Sequence, residues 1–117
     1  MIVTFETKAG PDIVMFGDVA VRLLQIVGKE CGERGIVTAE ELPDAIARLR
    51  DATAADKAAH AGKKPEELPS FETAGDGSFR PYVSLANRAL PLLDLFERAR
   101  RAGAPVLWSA GSVARYV

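Results

Sequence analysis

The stretch from Ser84 to Trp108, SLANRALPLLDLFERARRAGAPVLW, constrains this chain more than any other, because it specifies a helix, its stop and the strand that follows. At 100° per residue, Leu85, Ala89, Leu92, Leu93, Phe96 and Ala99 fall on one side, and Asn87, Asp94, Arg98 and Arg101 on the other. A broad apolar stripe with a wet back is how a surface helix packs on a globular core. Ser84 is placed to cap the first turn. Asp94 with Arg98, and Glu97 with Arg101, are acid-first pairs one turn apart. Arg98, Arg100 and Arg101 sit where the helix dipole favours cations. Gly103 supplies a left-handed stop, Pro105 forbids continuation, and Val106 to Trp108 reads as a short apolar strand. Pro91 is the misfit. It falls on the polar side and fits either a kink in one helix or the start of a second, and the kink is the preferred reading.

The rest of the chain supplies partners for this unit. Ile2 to Glu6 alternates, with Val3 and Phe5 on one face and Ile2, Thr4 and Glu6 on the other, as a strand does. Ala9 to Asp12 is a turn. Ile13 to Phe16 fits either a returning hairpin strand or the first turn of a helix capped by Asp12. The secure helix is Asp18 to Val27, ended by Gly28. Gly28 to Gly35 is a glycine-rich connector, since it lacks the pattern and the strand-to-helix setting of a phosphate-binding loop. Ile36-Val37 suits a very short strand. Thr38 and Glu41 form a capping box, or else a tight turn after which Pro43 starts a helix running to about Ala59. Beyond Arg50 that helix is rich in alanine and has little to bury, so its end is expected to fray or to extend into solvent.

Residues 61–80 break the pattern with three glycines, two prolines and a Lys63-Lys64/Glu66-Glu67 charge cluster. A loop this long is uncommon in a compact domain unless it is functional or disordered. Phe71 and Phe79 are expected to pin it to the body, the alternative being that they meet a partner. Ser109 to Val117 reads as a loosely held tail.

The expectation is one α+β domain over 1–117, with a long loop at 61–80. A small sheet of three to four short strands, including both terminal strands, packs against three helices. At 117 residues the chain is long enough for a core without metal or disulfide support.

Chemistry is harder to find. Net charge is −1, which gives no electrostatic case for nucleic acid. No run is apolar enough to span a membrane, and the N-terminus carries no signal pattern, so a cytoplasmic protein is expected. Cys31 is the single cysteine, which excludes a disulfide framework and reads as a structural thiol. His60 is the single histidine and reads as a solvated surface residue, so neither a histidine-based metal site nor a Ser-His arrangement has a second member. The Glu40/Glu41 and Glu66/Glu67 pairs are accounted for by a helix start and a polar loop. The residues supply no catalytic group, no metal site and no cofactor site.

MFGDVAVRLL, RGIVTAEELPDAIARLR and VSLANRALPLLDLFERARRAGAPVLW resemble the blocks of a family of short bacterial proteins known only as a domain of unknown function. These motifs make a fold and imply no reaction. The leading expectation is a non-catalytic interaction module, a homo-oligomer or the partner of another protein, using a sheet edge or an apolar helix surface. The alternative is a small-molecule or anion binder with Arg88, Arg98 or Arg101 facing a pocket under 61–80. Phe71, Phe79, Arg88, Arg98, Arg101 and Trp108 are the candidate contact residues.

Overall fold

The computed structural model describes residues 1–111. The first and last strands of the described residues lie side by side in the middle of one antiparallel sheet. Strand β1 (Ile2–Thr7) pairs on one side with β2 (Gly10–Phe16) and on the other with β6 (Val106–Gly111), and β3 (Arg34–Val37) pairs with the far side of β6. Helices α1 (Gly17–Ile26), α2 (Leu42–His60) and α3 (Leu85–Ala102) pack on one face of the sheet. Between α2 and α3 lie a 3₁₀ turn, Pro65–Glu67, and a separate hairpin of β4 (Phe71–Thr73) and β5 (Phe79–Pro81). The α+β class and a four-stranded sheet that includes both terminal strands match the expectation.

Pairing register decides which residues see the core. Phe5 lies opposite Trp108 and Ile13, and Val3 opposite Ala110 and Met15. Val3, Phe5, Val37, Val106 and Trp108 join Leu23, Leu24, Leu49, Leu92 and Phe96 in one cluster. Each fully buried side chain of this size contributes roughly 1.5–3 kcal/mol of hydrophobic stabilisation, so this layer carries the fold.

Trp108 has an unusual seat. Its cross-strand neighbour is Gly35, and a Cβ built there would lie 1.9 Å from the indole ring. The ring therefore covers the glycine on β3, a close approach only a residue without a side chain permits. Its Nε1–H donates to the carbonyl of Cys31 at 2.6 Å, which satisfies the indole's one polar group in the core.

Several local readings are refined. Ile13 to Phe16 is strand, because β1 needs a partner on its outer side and the turn at 8–9 returns the chain beside it. α1 then starts at once after Phe16, and Gly28 beyond its end takes φ 84°. The capping box is present, with Thr38 N–H donating to Glu41 Oε1 and Glu41 N–H to Thr38 Oγ1. α2 begins only at Leu42, with Pro43 in its first turn. α3 is a single helix through Pro91, which lies on the exposed side. Its buried stripe includes Leu95, while Leu93 is only partly covered. Ser84 caps it through Asn87 N–H at 3.2 Å, and Gly103 ends it at φ 65°.

Of the two outcomes expected for the alanine-rich end of α2, the second holds: it extends into solvent as helix to His60, whose Nδ1 lies 2.7 Å from the Asp56 carbonyl. One expectation fails. The last strand does not stop at Trp108, because Ser109, Ala110 and Gly111 are needed opposite Thr4, Val3 and Ile2. The rest of the expected tail, 112–117, lies outside the described residues.

Gly35→Ala is expected to lower stability by about 1–3 kcal/mol through overpacking against Trp108. Urea unfolding followed by Trp108 fluorescence measures it, and an unchanged midpoint would show that the ring has room to move.

Candidate functional site

The hairpin β4–β5 is built inside out. Glu72 and Arg80 are cross-strand neighbours that face the body of the protein, while Phe71 and Phe79 are 65% and 79% exposed. The expectation that the two phenylalanines pin the segment is corrected: alternation along each strand sends them to solvent once the charged residues turn inward.

Ion pairs do the pinning. Arg80 grips Asp18 at the start of α1 with two hydrogen bonds, 3.1 and 2.7 Å, and its Nη2 lies 3.4 Å from Glu72 Oε2. Glu72 Oε1 accepts from Arg88 Nη2 of α3 at 2.8 Å and from the Val83 N–H at 3.2 Å. Both guanidinium groups sit over the ring of Phe16, 4.8 Å away for Arg80 and 5.9 Å for Arg88. Arg80 Nε is buried with no hydrogen-bond partner among the described residues, and the π face of Phe16 offsets part of that loss. Three elements, α1, the hairpin and α3, thus converge on one aromatic ring at the β2–α1 junction.

Electrostatics fix the protonation states. The hydrogen bond from Arg88, with those from Val83 and Arg80, holds the Glu72 carboxyl down at about 2. Arg80 likewise holds Asp18 below its ordinary value. Both are carboxylates at neutral pH, so neither suits general acid work there. The cluster's formal charge is +2 − 2 = 0 from Arg80, Arg88, Asp18 and Glu72, so it offers a free anion no net attraction. A crevice of about 420 Å³ opens beside it, between Met1, Phe16 and Asp18 on one wall and the hairpin turn Ala74–Ser78 on the other. The chemistry of this arrangement is that of a latch.

The remaining candidates disperse. Arg98 pairs with Asp94 at 2.9 Å and lies along the exposed side of α3, as does Arg101. At 1.5 Å per residue they stand about 15 and 20 Å along the helix from Arg88, so the three arginines share no pocket. Trp108 is 4% exposed and belongs to the core. Burial pushes the Cys31 thiol up, which makes it a poor nucleophile at neutral pH. His60 is half-buried, a correction to its reading as a solvated residue. Its Nδ1–H donates to the Asp56 carbonyl, so in the neutral ring Nε2 accepts from the Tyr82 hydroxyl at 3.3 Å. Asp56 in turn accepts from the Ala86 N–H and so caps α3 from the side of α2. Among the described residues no group of three or more His, Cys, Asp or Glu is suited to a metal ion, and no helix is long and apolar enough to cross a membrane.

Arg80, Asp18 and Glu72 escape sequence reasoning, though one signal is present. FET and FRP flank the turn sequence AGDGS, with opposite charges at matching positions of two short alternating runs.

A second surface stands out by composition. The sheet's far face carries Val14, Ile36 and Leu107, exposed by 61%, 41% and 48%. Register aligns Thr4, Val14, Ser109 and Arg34 in one row, and Glu6, Leu107 and Ile36 in the next. Antiparallel sheets with one wet face normally present polar residues there. This one mixes polar residues with exposed aliphatic ones, Leu107 and Ile36 side by side and Val14 apart on the edge strand.

The latch makes a pH prediction. Glu72 titrates near 2 when bound and near 4.5 when released, so the released form takes up protons first. Hairpin attachment is therefore complete above about pH 4.5 and is lost as pH falls toward 2. Amide NMR signals of Thr73 and Arg80 are expected to move toward random-coil positions across that window, and Glu72→Gln to show the same loosening at pH 7. Signals that hold still in both experiments would overturn the latch.

Comparison with curated proteins and with solved structures finds no match. The family model described as "Domain of unknown function (DUF1840)" matches residues 1–108. That span takes in all three helices, the hairpin with its ionic latch, and the start of β6 through Trp108. The chain belongs to the DUF1840 family, a domain of unknown function.

Proposed function

We propose that this chain is a non-catalytic interaction module that associates with itself through the uncovered face of its sheet. The observation carrying this reading is the exposure of Ile36 and Leu107, cross-strand neighbours, and of Val14 on edge strand β2, on a face that no helix among the described residues covers. Exposed large aliphatic side chains on an uncovered sheet face suit a docking surface. The side chains that sequence reasoning would have recruited for chemistry are consumed elsewhere: Trp108 in the core, Arg88 in the latch, Cys31 behind the indole. A cytoplasmic setting suits a free, buried cysteine with no disulfide partner.

A second reading, a small-ligand binder, draws on a groove of about 320 Å³ between β2 and α3. Ile13, Met15, Val83 and Pro91 line it, with Arg88 in one wall. It takes the place of the expected pocket under 61–80 faced by Arg88, Arg98 or Arg101, and with Arg88 already paired to Glu72 it suits a small apolar molecule.

Native mass spectrometry of freshly purified protein separates the two. Self-association gives a multiple of the 12.5 kDa chain, and a binder gives a reproducible small added mass on the monomer. Leu107→Glu is expected to abolish the multimer while leaving the thermal midpoint of the monomer within a few degrees, because this side chain points away from the core. A Leu107→Glu protein that still self-associates would rule out the sheet face.

A further inference from the structure

We infer that the β4–β5 hairpin is a releasable strap: it lifts off the body as a unit at neutral pH, and Asp18 then changes partner from Arg80 to Arg22. This goes beyond the self-association reading and does not depend on it. Nothing in the core fastens the strap. Among the described residues, none from 61 to 84 belongs to the hydrophobic core or to the apolar side chains packed against it, and Phe71 and Phe79 face solvent. No backbone ladder joins it to the main sheet either, since β4 and β5 form a sheet of their own. What holds it is the Asp18–Arg80–Glu72–Arg88 chain of ion pairs, the bond from Tyr82 to His60 and the turn at Gly75 resting on Asp18. Polar contacts near the surface exchange for water at little cost, whereas lifting a core element would expose apolar area. The neighbouring helices keep their ends without the strap. α3 is capped by Ser84 and by Asp56 of α2, and α2 closes with His60 on the Asp56 carbonyl. Where the strap leaves α2, Gly62 takes φ 78° in open space, so the chain turns there with no side chain in the way.

A carboxylate left bare would oppose release, and the cluster contains a substitute cation. Arg22 lies four residues after Asp18 on α1, the acid-first spacing at which a carboxylate and a guanidinium meet along a helix. It is exposed, and among the described residues its side chain forms no ion pair or hydrogen bond. Asp18 and Arg22 line one small cavity of about 60 Å³ together with Glu72, Arg80 and Arg88. In the closed state the two hydrogen bonds from Arg80 occupy both oxygens of Asp18, and Arg22 is left over as a third cation beside Arg80 and Arg88. When the strap lifts, Glu72 and Arg80 leave together as cross-strand neighbours, a pair already neutral. Arg88 keeps the ring of Phe16, and Arg22 takes up Asp18. Asp18 is thus paired in both states, which makes release reversible and cheap.

Amide hydrogen exchange, followed by NMR on the full chain at pH 7, tests this. A detached two-stranded hairpin does not hold its own amides. Release is therefore read at Ala74 and Tyr82, whose N–H groups donate to the carbonyls of Ser78 and Ser70. In wild type these two are expected to exchange about a hundredfold faster, or more, than the ladder amides of β1 and β6. Asp18→Asn is expected to speed them about tenfold, through loss of the bidentate pair with Arg80. Arg22→Gln is expected to slow them about twofold, the effect of losing a helical pair that favours only the open state. In the Asp18→Asn background, Arg22→Gln is expected to change nothing. The β1 and β6 amides report global stability in every variant, so a fold-wide effect is told apart from one confined to the strap. Strap amides that exchange as slowly as the sheet in wild type would overturn release as a unit. An Arg22→Gln strap that exchanges as fast as wild type or faster, or the same slowing with and without Asp18, would overturn the change of partner.

Discussion

Everything in this fold depends on the pairing of β1 with β6. It joins the first strand to the last and sets Phe5 beside Trp108, ring centroids 6.5 Å apart, under the helices. Both strands are central, so each has a second neighbour, and the register of β1 against β6 fixes that of β2 and β3 in turn. A slip by one residue would send Val3, Phe5 and Trp108 to the wrong face. The Trp108 indole, its ring over Gly35 and its N–H on the Cys31 carbonyl, locks that register from the third strand.

With the helices committed to one side, the other side of the sheet and the outer side of the hairpin are left exposed among the described residues. They use opposite physics. The sheet's far face exposes aliphatic side chains on a rigid platform. The hairpin turns its charges inward and its phenylalanines outward, and stays attached through four ionised groups gathered on Phe16. That attachment is polar and lies largely at the surface, whereas the strands of the sheet are fastened by the core. The hairpin is thus the less firmly held of the two surfaces.

The helices, their stops and the terminal strands were legible because their periodicity and capping residues are local: the stripe of Leu85 to Ala99, the Ser84 cap and the Gly103 stop all act within a few residues. Ile13 to Phe16 stayed ambiguous because its state is decided by β1, outside any local window. The latch was hidden for a similar reason. Asp18 and Arg80 are 62 residues apart, and nothing in either neighbourhood announces the other. His60 looked solvated because its partner Tyr82 comes 22 residues later. The phenylalanines misled in the opposite direction: aromatic content suggested burial, but the charged residue between each pair of alternating neighbours had the stronger claim on the inner face.

The joining of the two ends also has a consequence for biosynthesis. β1 and β2 emerge from the ribosome together and can form their hairpin at once, yet the other edge of β1 waits for β6. About a hundred residues separate them, roughly 5–20 s of synthesis at ordinary rates. Throughout that interval the nascent chain carries a strand of sequence IVTFE with one side of its backbone unpaired, the geometry that neighbouring chains on a polysome can capture. Synthesis of β6 is therefore the step that closes the open side of β1.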